Sequence, residues 1–160
     1  MNRHLSISRW FVPVFMLLSF AFFFACEPVN QASATINYGE EAAATAQTLI
    51  GAPYKYGGTS PKGFDAGSFT QYVYKEAATQ MNIPRTSAAQ FKTGKAVKQK
   101  DLQFGDLVFY ATGAKGKVSF VAIYTGNGKF VGATSKGVKE VKMNTSYWKN
   151  RYIGAKRIIK

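Results

Sequence analysis

The chain has 160 residues, of which 46% are hydrophobic and 18% are charged, a composition that favours one globular domain and excludes a disordered chain. Its 21 lysines and arginines outnumber 8 acidic residues, and the formal charge of +13 predicts a surface that attracts polyanions or simply keeps the protein soluble. The lysines are dispersed and no nucleic-acid-binding motif accompanies them, so we do not expect nucleic acid as a partner.

The first residues predict an export signal. Arg3, His4 and Arg9 form a basic start, and the apolar stretch over 10–25 is too short for a comfortable membrane span. An uncleaved membrane anchor is the alternative. We therefore expect the protein to work outside the cytoplasm.

Two processing sites fit this leader. Small residues ending at Ala34 favour cleavage after Ala34, whereas the residues before Cys26 resemble a lipobox that would place lipid on Cys26. We therefore predict a signal segment over 1–34, or over 1–25 if Cys26 is lipidated. A single domain follows over 35–160.

Two helices are predicted in the first half of the domain. The run over 40–50 begins with two acids, is rich in alanine, and ends before Gly51. After a loop rich in glycine, a second helix begins near Ala66, with Asp65 at the position of an N-cap. Its apolar residues follow the spacing of one buried helix face; they are Phe69, Tyr72, Val73 and Ala77.

The second half is typical of an antiparallel sheet. Short apolar runs separated by turn residues predict strands over 106–110, 118–124, 129–135, 137–143 and 152–158. The residues over 125–128, Thr-Gly-Asn-Gly, predict a hairpin turn. The order of elements predicts an α+β fold in which N-terminal helices pack on an antiparallel sheet of about five strands.

Several stretches resemble the NlpC-type cell-wall peptidases in order and spacing, over about residues 40–158. They read GAPYKYGGTSPKGFD, IPRTSAAQ, LQFGDLVFY, VAIYTGNGKFVGATSKGV and YWKNRYIGAKRI. Members of that family are exported, papain-like cysteine endopeptidases that cut peptidoglycan stem peptides. The resemblance implies a papain-like NlpC-type fold and a peptidoglycan peptide as ligand.

The resemblance also implies that all three catalytic positions are replaced. The family's nucleophilic cysteine corresponds to Ala66, its general-base histidine to Phe120, and its third polar residue to Gly132. A methyl group cannot attack a carbonyl, and a phenyl ring cannot carry a proton. The only histidine is His4, in the predicted leader, so the exported domain would have neither a histidine base nor a histidine metal ligand. We expect no cofactor.

Four positions match residues that line the family's substrate cleft, and we predict them as the binding residues. They are Tyr54, Asp65, Arg85 and Ser87. Each also has a structural alternative: Asp65 as a helix cap, Tyr54 as a core aromatic, and Arg85 and Ser87 as parts of a braced loop.

The sequence therefore predicts an inactive homologue, acting as a monomer that binds or regulates at stem peptides. Its further partners would be anionic wall polymers or an anionic lipid surface. One alternative is an active hydrolase that pairs Ser68 with Lys55 or Lys62. Another is a scaffold for a partner protein, with a cleft closed by Phe120 packed over Gly132.

Overall fold

A computed structural model describes residues 37–77 and 81–159. The predicted leader, with the cleavage site at Ala34 and the lipidation site at Cys26, lies outside the described residues. Across the described ranges, no helix combines the length and the apolar character that crossing a membrane requires.

Two helices of 11 residues precede the large sheet. Helix α1 spans Tyr38–Thr48 and begins where the side chain of Asn37 accepts hydrogen bonds from two backbone N–H groups. Helix α2 spans Ala66–Glu76, and Asp65 caps it as predicted. Two four-residue helices follow, α3 over Ser87–Gln90 and α4 over Ser146–Lys149.

The strands form a small hairpin and a large antiparallel sheet. The hairpin pairs β1 (Thr59–Ser60) with β2 (Gly63–Phe64). The large sheet has the strand order β3-β8-β4-β5-β6-β7. Its strands are β3 Lys95–Val97, β4 Leu107–Tyr110, β5 Phe120–Gly126, β6 Lys129–Thr134, β7 Gly137–Lys142 and β8 Tyr152–Arg157.

The α+β prediction is confirmed, and all five predicted strands are present. The sheet has one strand more than predicted, the three-residue edge strand β3. The turn between β5 and β6 also follows the prediction: Asn127 and Gly128 both have positive φ, 52° and 68°. Two such residues define the hairpin turn that Asn-Gly favours, because its twist matches that of the strands.

The core lies between the two long helices and the middle of the sheet. Helices α1 and α2 both contact β5 and β6. On α2, Phe69 and Val73 are fully buried and Tyr72 is half-buried, and Ala77 is fully buried at the C-cap, which confirms the predicted buried face. This packing holds the N-terminus of α2 against the sheet, beside Phe120 at the start of β5.

Candidate functional site

A cleft of about 1180 Å³ opens between the start of α2 and the sheet. It is lined by the loop before β1, by the segment that leads into α3, by the β6–β7 hairpin and by α4. Of the seven residues at the predicted catalytic and binding positions, six line this cleft: Tyr54, Asp65, Ala66, Arg85, Ser87 and Phe120. The seventh, Gly132, lies on β6 directly behind the ring of Phe120.

Ala66 is the first residue of α2, and its side chain faces the cleft. The N-terminal end of a helix carries a partial positive charge, which lowers the pKa of a thiol placed there and so favours the thiolate. The setting for a nucleophile is therefore present. Ala66 offers it only a methyl group.

Phe120 and Gly132 fit each other sterically. A Cβ at position 132 would lie 2.9 Å from Cζ of Phe120 and 2.7 Å from Cβ of Ala122. Real Cβ atoms do not approach so closely, so position 132 has room only for hydrogen while these neighbours stay in place. The ring of Phe120 takes the space that a side chain at 132 would need.

Around Phe120 the cleft wall is aromatic. The ring centroid of Phe120 lies 4.9 Å from that of Trp148, 5.9 Å from Phe130 and 6.1 Å from Tyr110. Tyr147 extends this wall, and the guanidinium carbon of Arg151 lies 3.9 Å from its ring centroid. Phe120 thus belongs to a packed cluster, and its wall of the cleft is apolar.

The phenols in this cluster do not supply a base. The hydroxyl groups of Tyr110 and Tyr152 are buried and, among the described residues, have no hydrogen-bond partner. Burial raises the pKa of both hydroxyls, and a neighbouring group adds to each rise in pKa: Tyr152 for Tyr110, and the Asp106 carboxylate for Tyr152. Both therefore stay protonated at neutral pH and cannot accept a proton from a nucleophile.

The Asp65 carboxylate is fully engaged. Oδ1 accepts from the Ser68 N–H at 2.9 Å and from Nη1 of Arg85 at 2.8 Å. Oδ2 accepts from the Gly57 N–H at 3.1 Å and from Nη2 of Arg85 at 2.5 Å. A carboxylate has about four lone-pair positions, so none is left for the amine of a ligand.

These contacts also set the charge of Asp65. Partial burial acts to raise its pKa, but the hydrogen bonds from Arg85 and from the Ser68 backbone outweigh that effect and place the pKa below the usual value. The same ion pair raises the pKa of Arg85. Asp65 and Arg85 are a charged pair that holds the cleft wall together.

Ser68 is part of the helix cap. Its Oγ accepts from the Asp65 N–H at 3.1 Å and donates to the Gly58 carbonyl, which completes a capping box. The residue is 2% exposed and does not line the cleft. Lys55 and Lys62 are exposed, and in the described part of the chain neither is hydrogen-bonded to Ser68. The geometry gives no support to a Ser-Lys pair.

Gly67 and Gln90 position the wall that carries Arg85 and Ser87. A Cβ on Gly67 would lie 2.4 Å from the Arg85 carbonyl oxygen, so the segment passes where only glycine leaves room. The buried Gln90 amide donates to the Gly67 and Pro84 carbonyls at 2.9 and 2.7 Å. The sequence did not indicate the role of Gln90.

The opposite rim carries two exposed tyrosines. Tyr54 is 41% exposed, so it is not the core aromatic that was one alternative. Tyr56 is 90% exposed, lines the cleft as well, and was missed by the sequence analysis. The available signal was an aromatic residue within a glycine-rich, polar loop, where no core face requires one.

The described residues contain no group of three histidine, cysteine, aspartate or glutamate side chains that could hold a metal ion. Two lysines line the cleft, Lys136 in the β6–β7 turn and Lys139 on β7. The sequence analysis treated both only as part of a dispersed positive charge.

Comparison with known proteins gives a consistent family match. The NlpC/P60 family model matches residues 51–157. The murein DD-endopeptidase MepH of Escherichia coli is 36% identical over 115 residues, which are 69% of this chain and 42% of that protein. The probable peptidoglycan endopeptidase LytE of Bacillus subtilis is 42% identical over 113 residues, 70% of this chain and 32% of that protein.

A solved structure agrees with these matches. The crystal structure of an NlpC/P60 family protein from Bacillus cereus superposes with a TM-score of 0.68 at 36% identity, covering 74% of this chain and 39% of that one. The chain therefore spans less than half the length of these relatives and resembles one part of each.

Proposed function

Because this chain belongs to the NlpC/P60 family, we propose that it is an exported, catalytically inactive member that binds the peptides of peptidoglycan. The observation that carries the proposal is the chemistry of Ala66, Phe120 and Gly132. None of these residues can act as a nucleophile, a general base or a group that orients one.

The cost of these replacements is large. In a nucleophile–base unit, the loss of either partner alone lowers the rate by on the order of 10⁶-fold. The histidine and the cysteine of the sequence are His4 and Cys26, both in the proposed leader, so neither would remain in a domain cleaved after Ala34. No other group in the described cleft has the contacts of a substitute.

Binding is supported by the shape of the cleft. It is open, and it keeps aromatic, polar and charged side chains on its walls although the catalytic groups are gone. We propose that Tyr54 and Ser87 contact the peptide, and that the Asp65–Arg85 pair forms the rigid wall beside it. The relatives named above are endopeptidases of murein or peptidoglycan, which supports peptidoglycan as the ligand.

The charge of the exported domain supports attachment to the envelope. Without Arg3, Arg9 and Glu27, the 21 basic and 8 acidic residues become 19 and 7, a formal charge of +12. Such a surface is attracted to anionic wall polymers or to an anionic lipid surface, and salt weakens this attraction. We propose a monomeric domain over 35–160 that is held at the wall or membrane after export.

Sedimentation with purified sacculi tests the proposal. We expect the protein to sediment with sacculi at low ionic strength, to be partly released by salt, and to liberate no soluble peptides detectable by chromatography. The variant Tyr54→Ala should bind more weakly, whereas Lys98→Gln, outside the cleft, should bind as the parent protein does. Failure to sediment at any ionic strength would refute the proposal.

The two alternatives receive less support. The buried, capping role of Ser68 does not suit a nucleophile. The open cleft does not suit a closed scaffold, although Phe120 does pack over Gly132 as that alternative required. A Ser68→Ala variant separates the first alternative, because only an enzyme that uses Ser68 would lose peptide release.

A further inference from the structure

We propose that the cleft recognises its peptide through a carboxylate bound by Lys136 and Lys139, and not through a free amine. The inference rests on the proposed function, because it names the group on the peptide that the cleft reads.

Both acids that line the cleft are already neutralised. Asp65 accepts four hydrogen bonds, two of them from Arg85. Glu140 accepts from Nζ of Lys129 at 2.9 Å. A ligand amine that approached Asp65 would have to displace Arg85, and at Glu140 it would meet a carboxylate whose charge Lys129 already offsets.

The two lysines of the cleft, unlike its two acids, are not paired. Lys136 and Lys139 line the cleft, and within the described ranges neither ammonium group has an ion-pair partner. They are therefore the uncompensated charges of the cleft. Both side chains are solvent-exposed, so each would contribute to an anion in the cleft the modest strength of an exposed ion pair.

The backbone holds this pair of lysines in a defined place. In the turn before β7, Thr134 Oγ1 accepts from the Lys136 N–H at 3.2 Å and donates to the Gly137 carbonyl at 2.8 Å. Lys139 is the register partner of Gly132 on the neighbouring strand. Both lysines thus lie on the β7 side of β6, the strand that contains Gly132, close to where a bound peptide would lie.

The rest of the cleft suits a peptide better than a phosphate polymer. Its other walls carry the uncharged aromatic residues Tyr54, Tyr147 and Trp148, which can pack against a peptide backbone and its methyl groups. A polymer of phosphates would need a continuous row of cations, and this cleft presents only two that are unpaired among the described residues. An acidic peptide satisfies both the lysines and the aromatic walls.

The test uses peptides released from sacculi by an amidase, in three forms: untreated, with their carboxylates converted to amides, and with their amines acetylated. Binding is followed by tryptophan fluorescence, because Trp148 lines the cleft. Conversion to amides should weaken binding about tenfold, corresponding to two exposed ion pairs of about threefold each. Acetylation should leave the affinity unchanged within about twofold.

Variants assign the effect to the two lysines. Lys136→Gln with Lys139→Gln should weaken binding of untreated peptides about tenfold and should have little further effect on the amidated form. The matched pair Lys98→Gln with Lys100→Gln removes the same charge outside the cleft and should change the affinity less than about twofold. All four side chains are exposed, so the substitutions should not impair folding.

The outcomes distinguish the two proposals. If the affinity is unchanged when the carboxylates are amidated, or is lost when the amines are acetylated, carboxylate recognition is wrong. Peptide binding, the proposed function, would still hold. Tighter binding of polyphosphate than of the peptides, with the same sensitivity to Lys136 and Lys139, would assign the cleft to phosphate polymers and overturn it as well. No binding of any peptide form would overturn both proposals.

Discussion

Adding one methyl group at position 132 should destabilise the protein, because the methyl group would clash with two neighbouring side chains. In the Gly132→Ala variant the new Cβ would start 2.7 Å from Cβ of Ala122 and 2.9 Å from Cζ of Phe120. Side chains opposite each other in a sheet normally have Cβ atoms about 4.5–5.5 Å apart, so the strands would have to move apart locally. Overpacking of this kind costs about 1–3 kcal/mol, and we expect about 2 kcal/mol here.

The two contacts should contribute unequally. The Ala122 methyl group is fixed to its backbone, whereas the Phe120 ring can rotate. Ala122→Gly should therefore recover most of the cost of Gly132→Ala, and Phe120→Ala should recover less. In double-mutant cycles we expect coupling of about 1–2 kcal/mol with Ala122 and about 0.5–1 kcal/mol with Phe120.

Urea unfolding of the single and double variants measures these coupling energies, provided that the slope of the free energy of unfolding against urea concentration is the same in all variants. Gly113→Ala is the matched control, because its Cβ would meet Ser119 only at 3.8–4.0 Å, an ordinary contact distance. It should change the free energy of unfolding by less than about 0.5 kcal/mol. Additive effects at positions 122, 120 and 132 would show that the side chains of Ala122 and Phe120 do not clash with a Cβ at position 132.

Three further predictions follow from the start of α2. In a Cys26→Ser background, the thiol of Ala66→Cys should have a pKa below the usual value of about 8.5, because the helix N-terminus favours the thiolate. The pKa is measured as the pH midpoint of the alkylation rate. A midpoint at or above about 8.5 would contradict this expectation. The pKa of Asp65 in the folded protein lies below 3.8, its usual value. The ionised carboxylate therefore stabilises the folded protein fully above pH 3.8, and this stabilisation is lost as the pH falls through the pKa of the folded state. At pH values below 3.8, the urea midpoint of the parent protein should therefore fall more steeply with decreasing pH than that of Asp65→Asn. Parallel curves for the two proteins would show that the ionised Asp65 does not stabilise the fold. Gly67→Ala should lower the free energy of unfolding by about 2 kcal/mol, because its Cβ would meet the Arg85 carbonyl oxygen at 2.4 Å; an unchanged urea midpoint would show that the segment moves freely.

Periodicity and turn chemistry predict most of this fold. Phe69, Val73 and Ala77 mark the buried face of α2, and Asn127 with Gly128 marks the hairpin between β5 and β6. These signals are local, since each depends on residues within one turn or one strand. The edge strand β3 was missed because Lys95–Val97 is short and has no buried side chain, so its pairing with β8 leaves no pattern in the sequence.

The site is only partly readable from the sequence. Motif positions predicted which residues would meet at the cleft, and six of the seven line it. Their contacts depend on the tertiary structure: the saturation of Asp65 by Gly57, Ser68 and Arg85 joins three separate segments. Likewise, Lys136 and Lys139 differ from the other exposed lysines only because the β6–β7 hairpin lines the cleft.

Peptide release from sacculi tests directly whether this protein is catalytically inactive. Purified protein should be incubated with sacculi and the soluble peptides quantified by chromatography, beside a mock purification from cells that lack the protein. We expect release no greater than in the mock sample, even when the protein sediments with the sacculi. Release that rises with protein concentration, at the rate of an active family member, would contradict it.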